Sequence, residues 1–383
     1  MSSKSAVLAV IVASAAVLGL SVNSAQSETL DELLPELLET HDRIKAARSD
    51  FEATREGINE SFGAYLPTLD VTANYGHEHQ TKPSADNTST AFREISATAT
   101  QLLWDFGQTF ADIERSELVS EQSAVQLENT RQGVILEAVT AYLDLLRAVD
   151  ILRYARQSEE NIKRQTGLEE SLVERGSGLA TDVLQAKAQL AGAAATRFRA
   201  EGGLVIAINR YKSVFRREIG DLTGYRRPQL PLSSLPTSLD AAIEIALSNN
   251  LNLVSARFDS EITSKDLEAD KAALYSPSLE LVGEVNNKRN VAGIIDTKSE
   301  KLIKVELSYP IISGGQDLAV YNGSLHANAA SASRESDLRF AVTEQVRNAW
   351  QALQTSRANA DMLRNQANIS GEFLDLARQE RLR

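Results

Sequence analysis

The 383-residue chain contains no cysteine, which excludes a disulfide framework, a thiolate nucleophile and Cys-ligated zinc. Clustered positive charge is equally scarce. The net charge is −12 and no basic run exceeds Arg216-Arg217 or Arg226-Arg227, so the concentrated positive surface that nucleic acid demands is missing. No GxxxxGK[ST] or GxGxxG loop occurs, and no set of nucleophile, base and orienting group stands out, so neither a cofactor nor catalysis is expected. After the first 20 residues no stretch is apolar enough for a membrane-spanning helix. Any later entry into a membrane must use β-strands.

What is present begins with Lys4, the apolar run from Ala6 to Leu20 and the small polar stretch from Ser21 to Ser27. This is the layout of a secretory signal peptide cleaved after Ala25 or Ser27, and the run is short for a membrane anchor. The rest of the sequence states one plan twice. An offset of 209 places Leu30, Leu33, Leu34, Leu37 and Leu38 over Leu239, Ala242, Ile243, Ala246 and Leu247, each set spaced as one helix face. Leu66-Pro67-Thr68-Leu69 matches Ser276-Pro277-Ser278-Leu279, Gly107-Gln108 matches Gly315-Gln316, and Ala141-Tyr142 matches Ala349-Trp350. A period this long is no solenoid unit but a duplicated multi-element module.

Thr29-Leu30-Asp31-Glu32 reads as a capping box opening a first helix, and a second helix, about 42–65, ends at Pro67. The period then changes to two. Leu69, Val71, Ala73 and Tyr75 alternate with Thr68, Asp70, Thr72 and Asn74, a strand with one apolar and one polar face. A polar loop, about 79–91, leads to a second strand at 95–104. In the second copy Leu279, Leu281, Gly283 and Val285 alternate with Glu280, Val282, Glu284 and Asn286; after a loop at about 288–299, Ile303, Val305, Leu307 and Tyr309 alternate with Leu302, Lys304, Glu306 and Ser308. Strands of about 9–11 residues have the length a tilted strand needs to cross a bilayer. Four cannot close a barrel, which takes about eight, so membrane strands here require oligomerisation.

Each hairpin precedes a long polar helical tract. Ile135, Val139, Tyr142, Leu146 and Val149 step with coiled-coil spacing, as do Leu204, Ile208, Tyr211 and Phe215, and Val342, Val346, Ala349 and Leu353. Gly176-Ser177-Gly178 breaks the first tract. The expected organisation is a signal peptide at 1–25; a first repeat at 26–225 with a hairpin at about 68–104 and a helical hairpin at about 108–224; a Pro-rich linker at 226–237, semi-extended with a short edge strand; and a second repeat at 238–383 with a hairpin at about 278–309 and a long helix at about 316–383. Laid on the first copy, Arg383 falls on Arg175, so the returning helix of the second repeat is expected to be missing.

Single residues invite chemical readings that spacing does not sustain. His77 and His79 share a strand face but lack a third ligand, and read as rim-polar residues with no metal. Glu280, Glu284, Lys304 and Glu306 alternate along strands and read as the lumen side of a barrel, not as paired catalytic acids. Trp104, Tyr75 and Tyr309 suit an interfacial girdle or ordinary strand packing. Gly107, Gly314 and Gly315 read as strand-to-helix bends, Gly176 and Gly178 as turn residues, and Thr181-Asp182 as a helix N-cap.

The sequence resembles the TolC family of outer-membrane channel proteins. The resemblance is carried by Ala64-Tyr65-Leu66-Pro67, by Leu103-Trp104-Asp105-Phe106-Gly107 and Tyr309-Pro310-Ile311-Ile312-Ser313-Gly314-Gly315 after the hairpins, and by the run from Arg175 to Ala186, which is similar to its version in type I secretion channels. It implies a mainly α fold with β, in which three protomers each give four strands to a 12-stranded outer-membrane barrel continued by helices across the periplasm. It further implies a periplasmic adaptor and an inner-membrane transporter as partners in efflux or type I secretion, and a periplasmic tip closed around Thr181 and Asp182 near Gly176 and Gly178. The alternative expectation is a soluble periplasmic coiled-coil scaffold or adaptor, which would need no bilayer-length strands.

Overall fold

The computed structural model describes residues 29–381 apart from 82, 84–86, 221, 230 and 231; the expected signal peptide lies outside the described residues. The chain order is α1 (Leu30–Thr40), α2 (Asp42–Gly63), β1 (Thr68–Gln80), β2 (Thr88–Trp104), α3 (Gln108–Glu174), α4 (Ala180–Phe215), two single 3-10 turns at Leu222–Gly224 and Leu232–Ser234, α5 (Leu239–Asn249), α6 (Leu251–Tyr275), β3 (Ser278–Arg289), β4 (Thr297–Ser308) and α7 (Gln316–Arg381). No described helix is long and apolar enough to cross a membrane. The described part of the linker forms the two 3-10 turns, with no strand among its described residues.

The duplication is visible in contacts as well as in order. Ser61 in α2 hydrogen-bonds Ser116 in α3 at 2.6 Å, and the equivalent positions of the second copy, Asp270 in α6 and Ser324 in α7, also hydrogen-bond. Both copies brace the strand-to-helix return with an aromatic pair, Tyr65 with Phe110 at 5.8 Å and Tyr275 with Tyr321 at 6.2 Å. Compactness nevertheless divides the chain across the copies: one unit comprises residues up to Leu37 and Leu136–Gln229, the other Leu38–Ile135 and Leu230–Arg383.

In the first unit, α3 and α4 pack through the expected tyrosines, Tyr142 and Tyr211, and Phe215, but the rest of the α3 seam lies one residue away from the expected one. Ala138, Ala141, Leu145, Leu152 and Ala155 are buried, stepping by 3, 4 and then, past half-buried Ala148, by 3; Tyr142 of the expected seam is fully buried as well, while Val139, Leu146 and Val149 are only half-buried. Alanine permits close helix approach, so the narrow seam belongs to small residues and the larger aliphatics flank it. Opposite stand Ala200, Leu204, Ala207, Tyr211 and Val214. Tyr211 stacks on Phe215 at 4.4 Å and meets Tyr225 edge-on at 5.8 Å. The Tyr142 hydroxyl donates to the Arg226 carbonyl at 2.8 Å and accepts from its amide at 3.2 Å, pinning the start of the linker to the helices.

In the second unit, α6 lies between α3 and α7. Arg115 reaches Asp266 at 2.5 Å, Lys265 reaches Glu114 at 2.8 Å, and Thr263 meets Ser331 at 2.8 Å. The expected α7 seam holds at its start only: Val342 is buried, Val346 and Leu353 are half-buried and Ala349 is exposed. The N-terminal capping box is present through Glu32, whose carboxylate accepts from the Thr29 amide at 3.3 Å.

Leu145 is fully buried in the α3–α4 seam. Leu145→Ala is expected to destabilise the helical hairpin by about 3 kcal/mol, a cavity cost, and to speed amide hydrogen exchange across residues 138–155 by about a hundredfold; an unchanged exchange rate there would show that the seam does not hold the pair together.

Candidate functional site

The four strands form one antiparallel sheet in the order β1-β2-β3-β4. The strands outrun the expected hairpin arms: β1 continues to Gln80 and β2 starts at Thr88, so His79 and Thr88–Ala91 lie in the ladder rather than in a long loop. Hydroxyl pairing explains the extension. His77 Nε2 meets Ser89 Oγ at 2.9 Å, and Thr72 meets Ser96 at 2.5 Å, so these polar residues hold the ladder without apolar alternation. Likewise β3 ends at Arg289 and β4 begins at Thr297, leaving a shorter loop than expected.

Directly paired residues share a face, so the register assigns the two sides. Leu69, Ala99, Gly283 and Ile303 form one row; Val71, Ala97, Val285 and Lys301 form another; Gln101, Leu281 and Val305 a third. On this apolar face Leu69, Val71, Ile303, Val305 and Leu307 are all more than 60% exposed, so the sheet offers a broad apolar surface with no protein against it. A bulge between Leu102 and Trp104 sets Trp104 opposite Leu279, turning the indole to the apolar side. The other face carries Asp70, Glu78, Glu94, Glu280, Glu284, Glu300 and Glu306 against Lys288, Lys298 and Lys304. Each lysine there is paired: Lys288 with Glu94 at 2.9 Å, Lys298 with Glu300 at 2.5 Å and Lys304 with Glu306 at 2.5 Å. Four carboxylates per chain remain uncompensated by lysine. The outer edges of β1 and β4 have no strand partner among the described residues.

At the sheet-to-helix return, the Asp105 carboxylate accepts from the Gly107 amide at 3.2 Å and the Thr109 amide at 2.7 Å, satisfying free donors at the start of α3. Gly107 (φ 100), Gly314 (φ 65) and Gly315 (φ 83) turn the chain there. Asp112 follows one turn later. Burial pushes its carboxyl above the usual range; Arg115 opposes the rise, while Asp266, Asp105 and Asp270 add to it.

At the α3–α4 turn, the Gly176 amide donates to the Val173 carbonyl and the Ser177 amide to the Leu172 carbonyl, both at 2.9 Å, the paired bonds of a Schellman cap. Gly176 supplies the positive φ of 77 that this cap requires. At Gly178 a Cβ would come within 2.9 Å of the Val173 side chain and 3.0 Å of its amide nitrogen, so close approach demands glycine. The helix does not use Thr181 or Asp182 as its N-cap. Leu179 takes that position without a side-chain bond, and both residues lie in the first turn of α4, where the Asp182 carboxylate complements the helix dipole. Leu179 and Leu184 are about two-thirds exposed beside them.

Between the helices of this hairpin, Arg197 bridges Glu159 at 2.6 Å and Glu201 at 2.8 Å, and Arg156 reaches Glu201 at 3.2 Å. Hydrogen bonds from Arg197 and then Arg156 hold the Glu201 carboxyl below its ordinary range. A depressed carboxyl contributes stability above its unfolded pKa that is lost as pH falls through the folded value; Asp112, raised, has the opposite sign. Acidification from pH 7 to below pH 4 is therefore expected to lower the amide protection factors, taken relative to the intrinsic exchange rate at each pH, around 156–159 and 197–201, and Arg197→Met should flatten that pH dependence. Equal pH dependence in both proteins would remove the network from the account.

Comparison with known proteins agrees with this geometry. A family model described as outer membrane efflux protein matches residues 33–213. The outer membrane protein TolC of Vibrio cholerae serotype O1 is 26% identical over 343 residues, covering 86% of this chain and 75% of that protein. The alkaline protease secretion protein AprF of Pseudomonas aeruginosa is 25% identical over 305 residues, covering 76% of this chain and 62% of that protein. A crystal structure of a membrane protein from Pseudomonas aeruginosa superposes with a TM-score of 0.77 at 18% identity, covering 91% of this chain and 82% of that one. With a bilayer-length sheet, long helices and these likenesses together, the chain is similar in sequence and fold to the outer membrane efflux proteins of the TolC family.

Proposed function

We propose that three copies of the chain join their sheets into one outer-membrane barrel and that their helices line a periplasmic exit duct for efflux or type I secretion. The observation that carries this reading is the two-faced sheet with two open edges. An apolar face of bilayer length belongs in lipid, and strand edges cannot remain unpaired there. A soluble scaffold has no use for such a face. The chain contributes a passive pore, so energy must come from an inner-membrane transporter, reached through a periplasmic adaptor. Exposed apolar residues along α3 and α4, among them Leu136, Ile151, Phe198 and Ile206, supply surfaces for packing against a neighbouring copy.

The chain organisation that fits this role is two repeats, 26–225 and 238–383, joined by the 226–237 linker, each giving two strands to the barrel. The α3–α4 turn is the periplasmic tip, with Gly176 and Gly178 fixing its path and Thr181 and Asp182 contributing to its closure. Asp182→Ala is expected to raise single-channel conductance severalfold in planar bilayers. An unchanged closed state would leave Asp182 its place at the start of α4 and no gating role.

The polar face lines the lumen, and its surplus of carboxylates makes the barrel cation-selective. Asp70→Asn with Glu280→Gln and Glu284→Gln should lower the potassium-to-chloride permeability ratio severalfold, read from reversal potentials in a salt gradient. A ratio that does not move would place these residues outside the conduction path.

A further inference from the structure

The apolar face of the sheet carries three cations and no carboxylate. Arg93 and Arg289 are direct partners on β2 and β3, and Lys301 lies lower on β4 in the row of Val71 and Val285. All three are exposed, and none has a carboxylate partner among the described residues. The contrast with the polar face, where every lysine is paired, is complete. Like charges placed directly opposite repel, and an unpaired cation against hydrocarbon is costly. Their position along the strand resolves the cost. Ten residues separate Leu279, beside Trp104 at the helix end of the sheet, from Arg289; at about 3.3 Å per residue and a tilt near 45° this is roughly 23 Å along the membrane normal, matching the apolar band of about 25 Å in outer-membrane barrels.

Resting on the exit-duct arrangement proposed above, the helix-connected end of the sheet faces the periplasm, so the hairpin end, with Arg93 and Arg289, sits at the depth of the outer headgroups. Tyr75, directly opposite Arg93 and 81% exposed, marks the same level as an interfacial aromatic. Lys301 can snorkel towards that level along its aliphatic stem. We infer that Arg93 and Arg289, assisted by Lys301, form a lipid-facing site for the phosphate groups of an outer-leaflet glycolipid. Guanidinium forks bind phosphate oxygens bidentately, and an anion seated between the two arginines cancels their repulsion. The site lies on the face opposite the lumen and is independent of the gating and selectivity roles above.

The test uses the purified, assembled full chain in detergent, titrated with diphosphoryl lipid A and with dephosphorylated lipid A, and followed by native mass spectrometry. The diphosphoryl form is expected to bind at least tenfold more tightly, and millimolar inorganic phosphate is expected not to displace it. The double substitution Arg93→Gln with Arg289→Gln should bring the two lipids within about twofold of each other, whereas Lys288→Gln with Lys304→Gln on the polar face should leave the preference intact. Equal binding of the two lipids by the unmodified chain overturns the proposal without any variant having to fold. So does a preference that survives loss of both arginines, and displacement by inorganic phosphate would overturn the lipid assignment in favour of a free anion.

Discussion

Backbone hydrogen bonding in hydrocarbon is the constraint on which the rest of this protein depends. A strand edge in lipid leaves amides and carbonyls with no partner, at a cost of several kcal/mol each. Each chain supplies four strands and leaves the outer edges of β1 and β4 open. The sheet's stability is therefore inseparable from its assembly. Duplication suits this requirement, because each copy delivers one Pro-led hairpin and one return into a long helix, and the hydrogen bonds Ser61 to Ser116 and Asp270 to Ser324 brace both returns at equivalent positions.

The second organising feature is the partition of charge between the faces of one sheet. Acids lie only on the polar face, where they outnumber and pair the lysines; the apolar face holds cations without a carboxylate partner among the described residues, Arg93 and Arg289 at its outer end and Lys301 lower down. Both placements follow from dielectric surroundings. A carboxylate in a wet lumen is well solvated, while a cation at headgroup depth meets anionic lipid. The helical hairpin uses charge differently, through the cross-helix network of Arg197, Glu159, Glu201 and Arg156 at its half-exposed rim.

Much of this was legible in the chain because period-two alternation and prolines punctuate it. Leu69 to Tyr75 and Ile303 to Leu307 read directly as amphipathic strands, and the break at Gly176 read as a turn. Other features were not. The β1–β2 arms ran past their expected ends because Ser89, Thr90 and His77 pair through hydroxyls and backbone and show no apolar signal. Apart from Tyr142, the α3 seam lay one residue away because Ala138, Ala141 and Ala155 carry little hydrophobic weight yet allow the closest approach. Thr181 and Asp182 looked like caps, but the Schellman bonds at Gly176 and the approach of Gly178 to Val173 set the helix start earlier, at Leu179. Arg93 and Arg289 are 196 residues apart in sequence; only the β2–β3 register makes them neighbours.

The absence of cysteine makes the central claim, closure of the sheet between chains, directly measurable. A cysteine replacing Val71 on β1 can be combined in turn with one replacing Lys301, Ile303, Val305 or Leu307 on β4, and membranes oxidised before denaturing electrophoresis. The account predicts that at least one pair yields disulfide-linked species ending at three chains. Monomer alone for every pair, with or without a disulfide inside one chain, would contradict closure of the sheet between protomers.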